Sequence, residues 1–537
     1  MPATKRLRSK TSDPRQPAGK ADTVPGVPHI HRAACGMLLE SLSWMGYLMS
    51  RACLCGLHDG DIAVAGADIG NAGIDFSSVE AGDWLRAFAE LWFGLTFSSA
   101  FSGIGSPVTG MHMVDCWIAS VLGDDVLDGF IGGHWRDIRA SRNYWAIERD
   151  RLARNELMSS PFKPQHCFND VLDFVHPDYK KDFLHIVATW SFEALLQGLK
   201  SGMFISLEGT CKCCGMTLLL LATLLHAAGP PCVDHSTQGA RQRNWGPAFA
   251  PTFAWFCLIS HLAIKVVLHE NVTGYTKDMM RFFLDWQYHF HLADMDSIEH
   301  GFVACRNRSI TMLVLRDSLA NISIPYPLFI GLCQRTCTYN WSGLLVASEE
   351  ILRQEIHWSE QRRTSCCKAA IFDKLTKVER RVASENRFTK AMAHQDIQFL
   401  IAYREMFAHR FQDGRFTCSL TNNPVTHAQW MTGQNLLTHV AGGPLLWCQT
   451  EDLSESRWAA AQELLLAAGF CCLEEFNPLQ VGSSFMYPNA TRTRASMVRQ
   501  AGNTMNTFVV TIAMVWAIAF VSFKEDEDLD AFLSMFL

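Results

Sequence analysis

The sequence has no strong excess of charge of either sign. Its 47 lysine and arginine residues against 53 aspartate and glutamate residues give a formal net charge of −6. A uniformly basic surface for nucleic acid is therefore excluded, and any such contact has to come from local patches. The charged fraction is 19% and the hydrophobic fraction 48%, which is typical of a globular protein and excludes a largely disordered one.

The first residues lack the apolar stretch expected of a signal peptide. Residues 1–32 instead carry seven lysines and arginines, two aspartates and five prolines, a composition that predicts a disordered basic tail. The run Lys-Arg-Leu-Arg at 5–8 fits a nuclear import signal or a non-specific phosphate contact, and a solvated tail is the alternative. The 19 cysteines are expected to be reduced thiols in an intracellular compartment.

A cysteine follows two prolines at the end of an apolar run. The run 218–225 leads into Pro230, Pro231 and Cys232, and two prolines fix an extended, rigid loop there. A thiol held on such a loop is either a nucleophile or a buried structural cysteine. On this motif alone, Cys232 can be interpreted either as a nucleophile or as a structural cysteine.

A second motif lies 38 positions further on (270 − 232). Glu270 and Asn271 follow the apolar run 264–268. If both runs are strands of an α/β sheet, Cys232 and Glu270 stand at carboxyl ends of strands and face one another across a crevice.

An earlier stretch has the pattern of a nucleotide-binding turn. Phe101, Gly103 and Gly105 follow a short β-prone run, and such glycines let the backbone approach a ligand at a helix N-terminus. Two acidic residues, Glu148 and Asp170, follow the next segments. A carboxylate after the second strand of such a sheet accepts hydrogen bonds from ribose hydroxyls.

In type and order, these segments resemble the cytosine-5 DNA methyltransferases. That family has its nucleophile in a Pro-Cys loop, its acid in a Glu-Asn-Val triplet and a Phe-x-Gly-x-Gly loop that cradles S-adenosylmethionine. The resemblance implies that the catalytic residues are Cys232, Glu270 and Arg308. The implied cofactor-binding residues are Phe101, Gly103, Gly105, Glu148, Asp170, Pro230 and Asn503. The implied substrate-binding residues are Ser236, Arg241, Arg243, Asn271 and Arg306.

The implied function is transfer of a methyl group from S-adenosylmethionine to C5 of a flipped cytosine in double-stranded DNA, through a covalent bond between Cys232 and C6. A nuclear localisation and no membrane association are expected. Three positions depart from the family: Ser106 replaces a glycine, Ala304 a glutamine and Thr504 a serine. A tRNA cytosine-5 methyltransferase and a catalytically inactive nucleic-acid-binding homologue are the alternatives.

The expected fold is α/β, with a Rossmann-like methyltransferase sheet interrupted by a smaller target-recognition domain. The predicted segments are a basic tail (1–32), an N-terminal extension of unknown role (33–90), the catalytic domain (91–316), the target-recognition domain (317–454), the C-terminal part of the catalytic domain (455–523) and a tail (524–537).

Three further features concern partners and metals. Residues 361–390 carry nine lysines and arginines against three acidic residues, which predicts a phosphate-binding face or a solvated helix face. The apolar run 508–523 has 16 residues, short for a membrane span, and predicts a helix packed against the sheet. The three cysteines between 211 and 214 are interpreted as structural thiols, and no metal is predicted.

Overall fold

The computed structural model describes most of the chain. The described residues are 44–55, 77–160, 162–232, 235, 246, 249–337, 340–366, 376–407, 414–421, 423–439, 443, 445–470 and 493–524. The predicted basic tail, most of the C-terminal tail and the three substrate-binding candidates Ser236, Arg241 and Arg243 lie outside these residues.

Fifteen strands are present in the described ranges. They are β1 (Phe97–Ala100), β2 (Asn143–Ile147), β3 (His166–Phe168), β4 (Glu208–Thr210), β5 (Thr217–Leu219), β6 (Leu225–Ala228), β7 (Val266–Val272), β8 (Tyr288–Asp296), β9 (Asn307–Leu315), β10 (Leu319–Ile322), β11 (Phe416–Ser419), β12 (Trp430–Thr432), β13 (Leu446–Gln449), β14 (Arg457–Trp458) and β15 (Val521–Phe523).

The helices follow the strands in alternation over the first half of the chain. Residues 44–55 are helical. The remaining α-helices are α1 (Val79–Gly94), α2 (Ser106–Leu122), α3 (Asp124–Ile131), α4 (Trp135–Ser141), α5 (Arg151–Ser159), α6 (Lys180–Thr189), α7 (Phe192–Ser201), α8 (Phe249–His261), α9 (Lys277–Leu284), α10 (Tyr326–Leu332), α11 (Glu349–Cys366), α12 (Lys377–Ala383), α13 (Arg387–Ala391), α14 (His394–Phe407), α15 (Pro424–His427), α16 (Ala461–Ala467), α17 (Arg494–Asn503) and α18 (Thr507–Phe520).

The central sheet has seven strands in the order β3-β2-β1-β6-β7-β9-β8. The first five are parallel, whereas β9 runs antiparallel to both β7 and β8. From β1 the chain moves outward to β3 and then returns to β6 on the other side of β1. This reversal opens a crevice at the carboxyl ends of the strands. The predicted α/β fold with a Rossmann-like sheet is confirmed.

Both faces of the sheet are buried because side chains alternate between two cores. Val266 and Leu268 of β7 belong to the core that contains α2 and α18, whereas Val267 belongs to the core that contains α8. Strands buried on both faces are rich in apolar residues throughout, which explains why the alternation is hard to see in the sequence.

The C-terminal apolar run is a core helix. Of the apolar window within 494–520, 89% is buried inside the fold, although its length and composition would allow a membrane span. Helix α18 contacts α2 and β7, which agrees with the predicted packing. Its end differs from the prediction, since residues 521–523 leave the helix and pair with β10 as strand β15.

Residues between 349 and 458 build a separate core. A four-stranded antiparallel sheet, β12-β11-β13-β14, packs with residues of α12, α13 and α14. This region falls largely inside the segment predicted to recognise the target. The predicted domain boundaries stay a prediction.

The apolar run 218–225 does not form one strand, because β5 ends at Leu219 and β6 begins only at Leu225. The cysteines of the N-terminal extension, Cys53 and Cys55, are buried in the helical segment 44–55, as expected of structural thiols.

Candidate active site

A cavity of about 520 Å³ lies at the carboxyl ends of the parallel strands. It brings together residues that are distant in sequence, from the five parallel strands of the sheet, from the antiparallel strand β9 and from the end of α17. The predicted residues that line it are Phe101, Gly103, Glu148, Asp170, Pro230, Cys232, Glu270, Asn271, Arg306, Arg308 and Asn503. Among the described candidates, Gly105 is the exception, because it lies just before the first residue of α2.

The turn after β1 has an unusual backbone. Phe101, Gly103 and Gly105 have φ values of 52°, 54° and 89°, all in the left-handed region that favours glycine. A Cβ on Gly103 would meet no atom within 4 Å, whereas one on Gly105 would come within 2.9 Å of Leu157 Cδ1. Gly103 therefore keeps the cavity open and Gly105 lets α2 approach α5. The non-glycine Phe101 in this region costs roughly 1–3 kcal/mol, a strain that concentrates at functional sites.

The two predicted acidic residues stand on the same wall. Glu148 accepts hydrogen bonds from the backbone N–H of Gly103 at 2.6 Å and of Asp150 at 2.7 Å, and burial raises the pKa of its carboxyl. Asp170 accepts one from the backbone N–H of Leu172 at 3.0 Å. Both carboxylates are fixed by the backbone before any ligand binds, and each oxygen keeps lone pairs for further donors.

The loop that carries Cys232 is hydrogen-bonded to the neighbouring strand β7. Asn271 Nδ2 on β7 donates to the carbonyl oxygen of Pro230 at 3.3 Å, and the His235 backbone N–H donates to the carbonyl of Cys232 at 2.9 Å. Burial and the nearby Glu270 raise the pKa of the Cys232 thiol, while Arg308 and Arg306 oppose that effect. The thiol is thus held in place but protonated at neutral pH.

Glu270 and Arg308 form an ion pair between the adjacent strands β7 and β9. Arg308 Nε lies 2.8 Å from Glu270 Oε1, with side-chain exposures of 16% and 11%. Strand β9 is antiparallel to β7, and Arg308 is paired with Val272, so it reaches back to the carboxylate two residues away. The low exposure makes this pair stronger than one on the surface.

Arg306 joins the cavity to the C-terminal segment. It is buried, with 5% exposure, and its guanidinium donates to the carbonyl oxygens of Gly502, at 3.2 Å, and Thr504. Burial lowers its pKa to about 9. These hydrogen bonds connect the residue before β9 with the backbone at the end of α17, and because Arg306 also lines the cavity, its contact with the substrate stays a prediction.

Two departures from the family pattern meet in space. The Ser106 and Thr504 hydroxyl oxygens are 2.5 Å apart, and Ser106 Oγ also donates to the carbonyl of Met505 at 2.9 Å. The serine that replaces a glycine is thus hydrogen-bonded, and the turn geometry at Gly103 is kept. The sequence motifs could not indicate this pair, whose members are 398 positions apart.

The third departure, Ala304, lies beside the segment that follows β12. Its neighbours pair with the segment after β12: Cys305 N–H donates to the carbonyl of Leu436 at 2.8 Å, and Leu436 N–H donates to that of Val303 at 2.7 Å. The Ala304 carbonyl accepts from Ser297 Oγ at 2.5 Å. Backbone hydrogen bonds therefore hold this junction where the family has a glutamine side chain.

Residues that the motifs did not indicate also surround the cavity. Arg154 Nη1 donates to the carbonyl of Glu148 at 2.7 Å and to Asn169 Oδ1 at 2.8 Å. At the rim, Arg499 forms an ion pair with Asp150 at 2.6 Å. Only their position after β2 and in α17 places them here.

The histidine next to Glu270, His269, is a buried residue of β7. It lies fully inside the sheet beside Trp255, with ring centroids 5.7 Å apart, and burial lowers its pKa to about 3. A ring that stays neutral and buried cannot serve as a base at the cavity surface.

Comparison with known proteins gives similarity in structure only. No protein-family model and no curated protein matches the sequence. The solved structure of the S. pombe Dnmt2 methyltransferase is similar at 12% identity with a TM-score of 0.37, over 78% of this chain and 97% of that one. The Entamoeba histolytica methyltransferase EhMeth is similar at 13% identity with a TM-score of 0.37, over 79% of this chain and 97% of that one. Since both TM-scores are below 0.5, the geometry of the cavity has to carry the functional assignment.

Proposed function

We propose that this chain is an S-adenosylmethionine-dependent methyltransferase that modifies C5 of cytosine in DNA. One observation carries the proposal: Cys232, Glu270 and the Gly103 turn line a single cavity at the point where the strand order of the sheet reverses. A thiol, a carboxylic acid and a glycine turn are the three groups that this reaction requires, and three separate parts of the chain supply them.

The cavity residues fit S-adenosylmethionine. A Cβ placed on Gly103 would have no other atom within 4 Å, so the space is open for a ligand to approach the backbone there. The carboxylates of Glu148 and Asp170 lie on the same wall and suit the ribose hydroxyls and the adenine amino group. Bound there, S-adenosylmethionine would supply an electrophilic methyl group.

The protein residues prepare cytosine to accept that methyl group. Extruding the base from a duplex costs a few kcal/mol and exposes its ring to the cavity. The Cys232 thiolate then forms a bond to C6, and the electron pair moves to C5, which becomes nucleophilic. Glu270, protonated from solvent as the base binds, donates that proton to N3 and neutralises the charge that the addition places on the ring. After the methyl group has been accepted, water takes the C5 proton, the electron pair of that C–H bond re-forms the C5–C6 double bond, the Cys232 thiolate departs from C6, and N3 returns its proton to Glu270.

The ion pair explains how the thiol is activated only with substrate. Glu270 is paired with Arg308 in the free protein, and burial together with the nearby Glu270 raises the pKa of the Cys232 thiol. When Glu270 shares a proton with N3 of cytosine, its negative charge is reduced and the thiolate becomes easier to form. Arg308 then remains as the positive neighbour of Cys232.

Double-stranded DNA is proposed as the substrate because of the separate core between residues 349 and 458. A region of this size beside the cavity gives room to contact the duplex around a flipped base. The exposed basic residues of the described part of 361–390 suit phosphate contacts, for example Arg380 and Arg381 on α12. The basic run at 5–8 supports a nuclear location, which imaging of a tagged full chain with and without that run tests.

The deciding experiment is methyl transfer to defined nucleic acids. The purified full chain is incubated with labelled S-adenosylmethionine and either duplex DNA or tRNA, beside a Cys232→Ser variant. Bisulfite sequencing of DNA from cells that express either chain then gives the sequence context. The proposal expects methylated cytosine in duplex DNA with the natural chain and none with the variant.

Each other outcome overturns part of the proposal. Methylation of tRNA alone would replace the substrate while keeping the chemistry. Binding of duplex DNA without methylation of any substrate would indicate a non-catalytic nucleic-acid-binding protein. Equal methylation by the Cys232→Ser variant would exclude the covalent route.

A further inference from the structure

Three potential metal ligands converge at the opposite edge of the sheet from β8. The ligand atoms of His166, Cys211 and Cys214 all lie within 4.8 Å of one another. His166 begins β3, the edge strand, and the two cysteines belong to the turn between β4 and β5. The sequence interpretation as merely structural thiols overlooked that Cys211 and Cys214 have the Cys-x2-Cys spacing of zinc knuckles.

The histidine supplies an independent observation. The Nδ1 atom of His166 is buried, and no hydrogen-bond partner for it is present among the described residues. A buried polar atom without a partner costs about 1–3 kcal/mol. A cation between this nitrogen and the two sulfurs would remove that cost, because neutral imidazole binds metals through one ring nitrogen.

The turn itself has the backbone of a metal-binding knuckle. The N–H of Gly215 donates to the carbonyl of Cys211 at 3.0 Å, and Gly215 has a φ of 75° that favours glycine. The N–H of Cys167, next to His166, donates to Cys211 Sγ at 3.4 Å. Backbone N–H groups directed at a sulfur stabilise its thiolate form, the form that binds metal.

A fourth ligand is available from the same turn. Cys213 Sγ lies 2.9 Å from Cys211 Sγ, and both Cys213 and Cys214 are exposed. The Cys213 sulfur now lies 3.7 Å from the carbonyl oxygen of Gln165, so the exposed side chain has to rotate to reach the centre shared by the other three ligands. The complete set is three sulfurs and one imidazole nitrogen, a combination that selects a soft divalent ion with tetrahedral geometry.

We propose that His166, Cys211, Cys213 and Cys214 form a structural zinc site. Binding replaces the protons of the three thiols, which are released to solvent, and forms three metal–sulfur bonds and one metal–nitrogen bond. The site fastens the β4–β5 hairpin to β3, where the backbone N–H of Lys212 already donates to the carbonyl of Cys167 at 2.7 Å. Because β3 leads directly to Asp170, the metal would stabilise one wall of the cavity from the far end of that strand.

The test measures metal in the full-length chain. The protein is purified without chelator, and its zinc content is measured by plasma mass spectrometry, with about one ion per chain expected. Replacement with Co²⁺ should give thiolate-to-cobalt charge-transfer absorption and the visible bands of a tetrahedral site. Cys214→Ser should lower the charge-transfer intensity by about one third, since one of three thiolates is lost. Cys337→Ser, a cysteine outside the cluster, should leave the spectrum unchanged.

Two variants keep the proposal falsifiable even if one of them folds poorly. Cys213→Ser and Cys214→Ser both change exposed side chains, so the fold is expected to persist, as circular dichroism would check. Absence of zinc and of a cobalt spectrum in the folded chain would overturn the proposal. A disulfide between Cys211 and Cys213, detected by mass spectrometry after alkylation without reductant, would overturn it too. An unchanged cobalt spectrum in both variants would exclude these ligands.

Discussion

Two cavities of similar size lie at opposite ends of the same strands. The one at the carboxyl ends measures about 520 Å³ and the one at the amino ends about 550 Å³. The amino-end cavity is lined by residues that precede β1, β2 and β3, such as Thr96, Ser141 and Gln165, and by the β5 hairpin. Volume therefore does not distinguish them.

The two cavities differ in how their walls are made. The carboxyl-end walls contain the ion pair of Glu270 and Arg308, a thiol on a double-proline loop and a turn with three positive φ values. None of the predicted catalytic or cofactor-binding residues lines the amino-end cavity. Loops that leave the carboxyl ends of parallel strands on both sides of a reversal converge on one point, whereas the amino ends receive helices.

The largest expected effect is loss of the nucleophile. Cys232→Ser should reduce methyl transfer by roughly 10⁴-fold or more, because the weaker hydroxyl nucleophile cannot form the C6 adduct. Binding of S-adenosylmethionine, measured by calorimetry, should stay within about twofold, since Cys232 is not among the predicted cofactor-binding residues. Cys305→Ser, on the chain before β9, is the matched control. Substantial activity in Cys232→Ser would remove the main difference between the two cavities.

Neutralising Glu270 should have the next largest effect on methyl transfer. The same change should make the Cys232 thiol more reactive. Glu270→Gln should lower methyl transfer by about 10²–10⁴-fold, since no group then protonates N3. The same change removes the negative charge that raises the pKa of Cys232. Alkylation of Cys232 by iodoacetamide at pH 8 should therefore become faster than in the natural chain.

The pH dependence of that alkylation shows in which direction Glu270 shifts the pKa of Cys232. In the natural chain burial and Glu270 raise the pKa of Cys232 above the ordinary value of a cysteine, so alkylation should keep rising at pH values where that of a free cysteine has levelled off. In Glu270→Gln the curve should shift to lower pH. Asp294→Asn, which removes the ion pair between Asp294 on β8 and Lys277 on α9, should leave the curve in place. A shift to higher pH in Glu270→Gln would contradict the proposed activation of the thiol.

Arg306, just before β9, and Arg308, in β9, should separate stability from catalysis. Arg306→Met leaves the carbonyls of Gly502 and Thr504 without their buried donor and should lower the free energy of unfolding by about 2 kcal/mol. Arg308→Met should change that free energy less and methyl transfer more, because its partner is Glu270. Urea denaturation and initial rates of both variants measure the two effects. Equal losses of unfolding free energy in the two variants would contradict the assignment of stability to Arg306 and of catalysis to Arg308.

Local motifs carried most of what the sequence could predict. Phe101, Gly103 and Glu148 each follow directly on a strand, so short contiguous stretches placed them at the correct edge of the sheet. Contacts between distant segments could not be predicted, because no pattern within a stretch encodes its partner. The Ser106–Thr504 pair, the contacts of Arg306 with the segment after α17 and the convergence of His166 on Cys211 are of this kind.

The smallest effect is expected when the amino-end cavity is filled. Ser141→Phe places a ring in that cavity from the exposed end of α4 and should change stability by no more than about 0.5 kcal/mol, with methyl transfer unchanged. Gly103→Ala is the matched change at the carboxyl end: a φ of 54° adds a strain of about 1–2 kcal/mol, and its methyl group enters the space for the cofactor. The KM for S-adenosylmethionine should rise in Gly103→Ala alone. A similar rise in Ser141→Phe would show that the two ends of the sheet are coupled and that the amino-end cavity belongs to the functional unit.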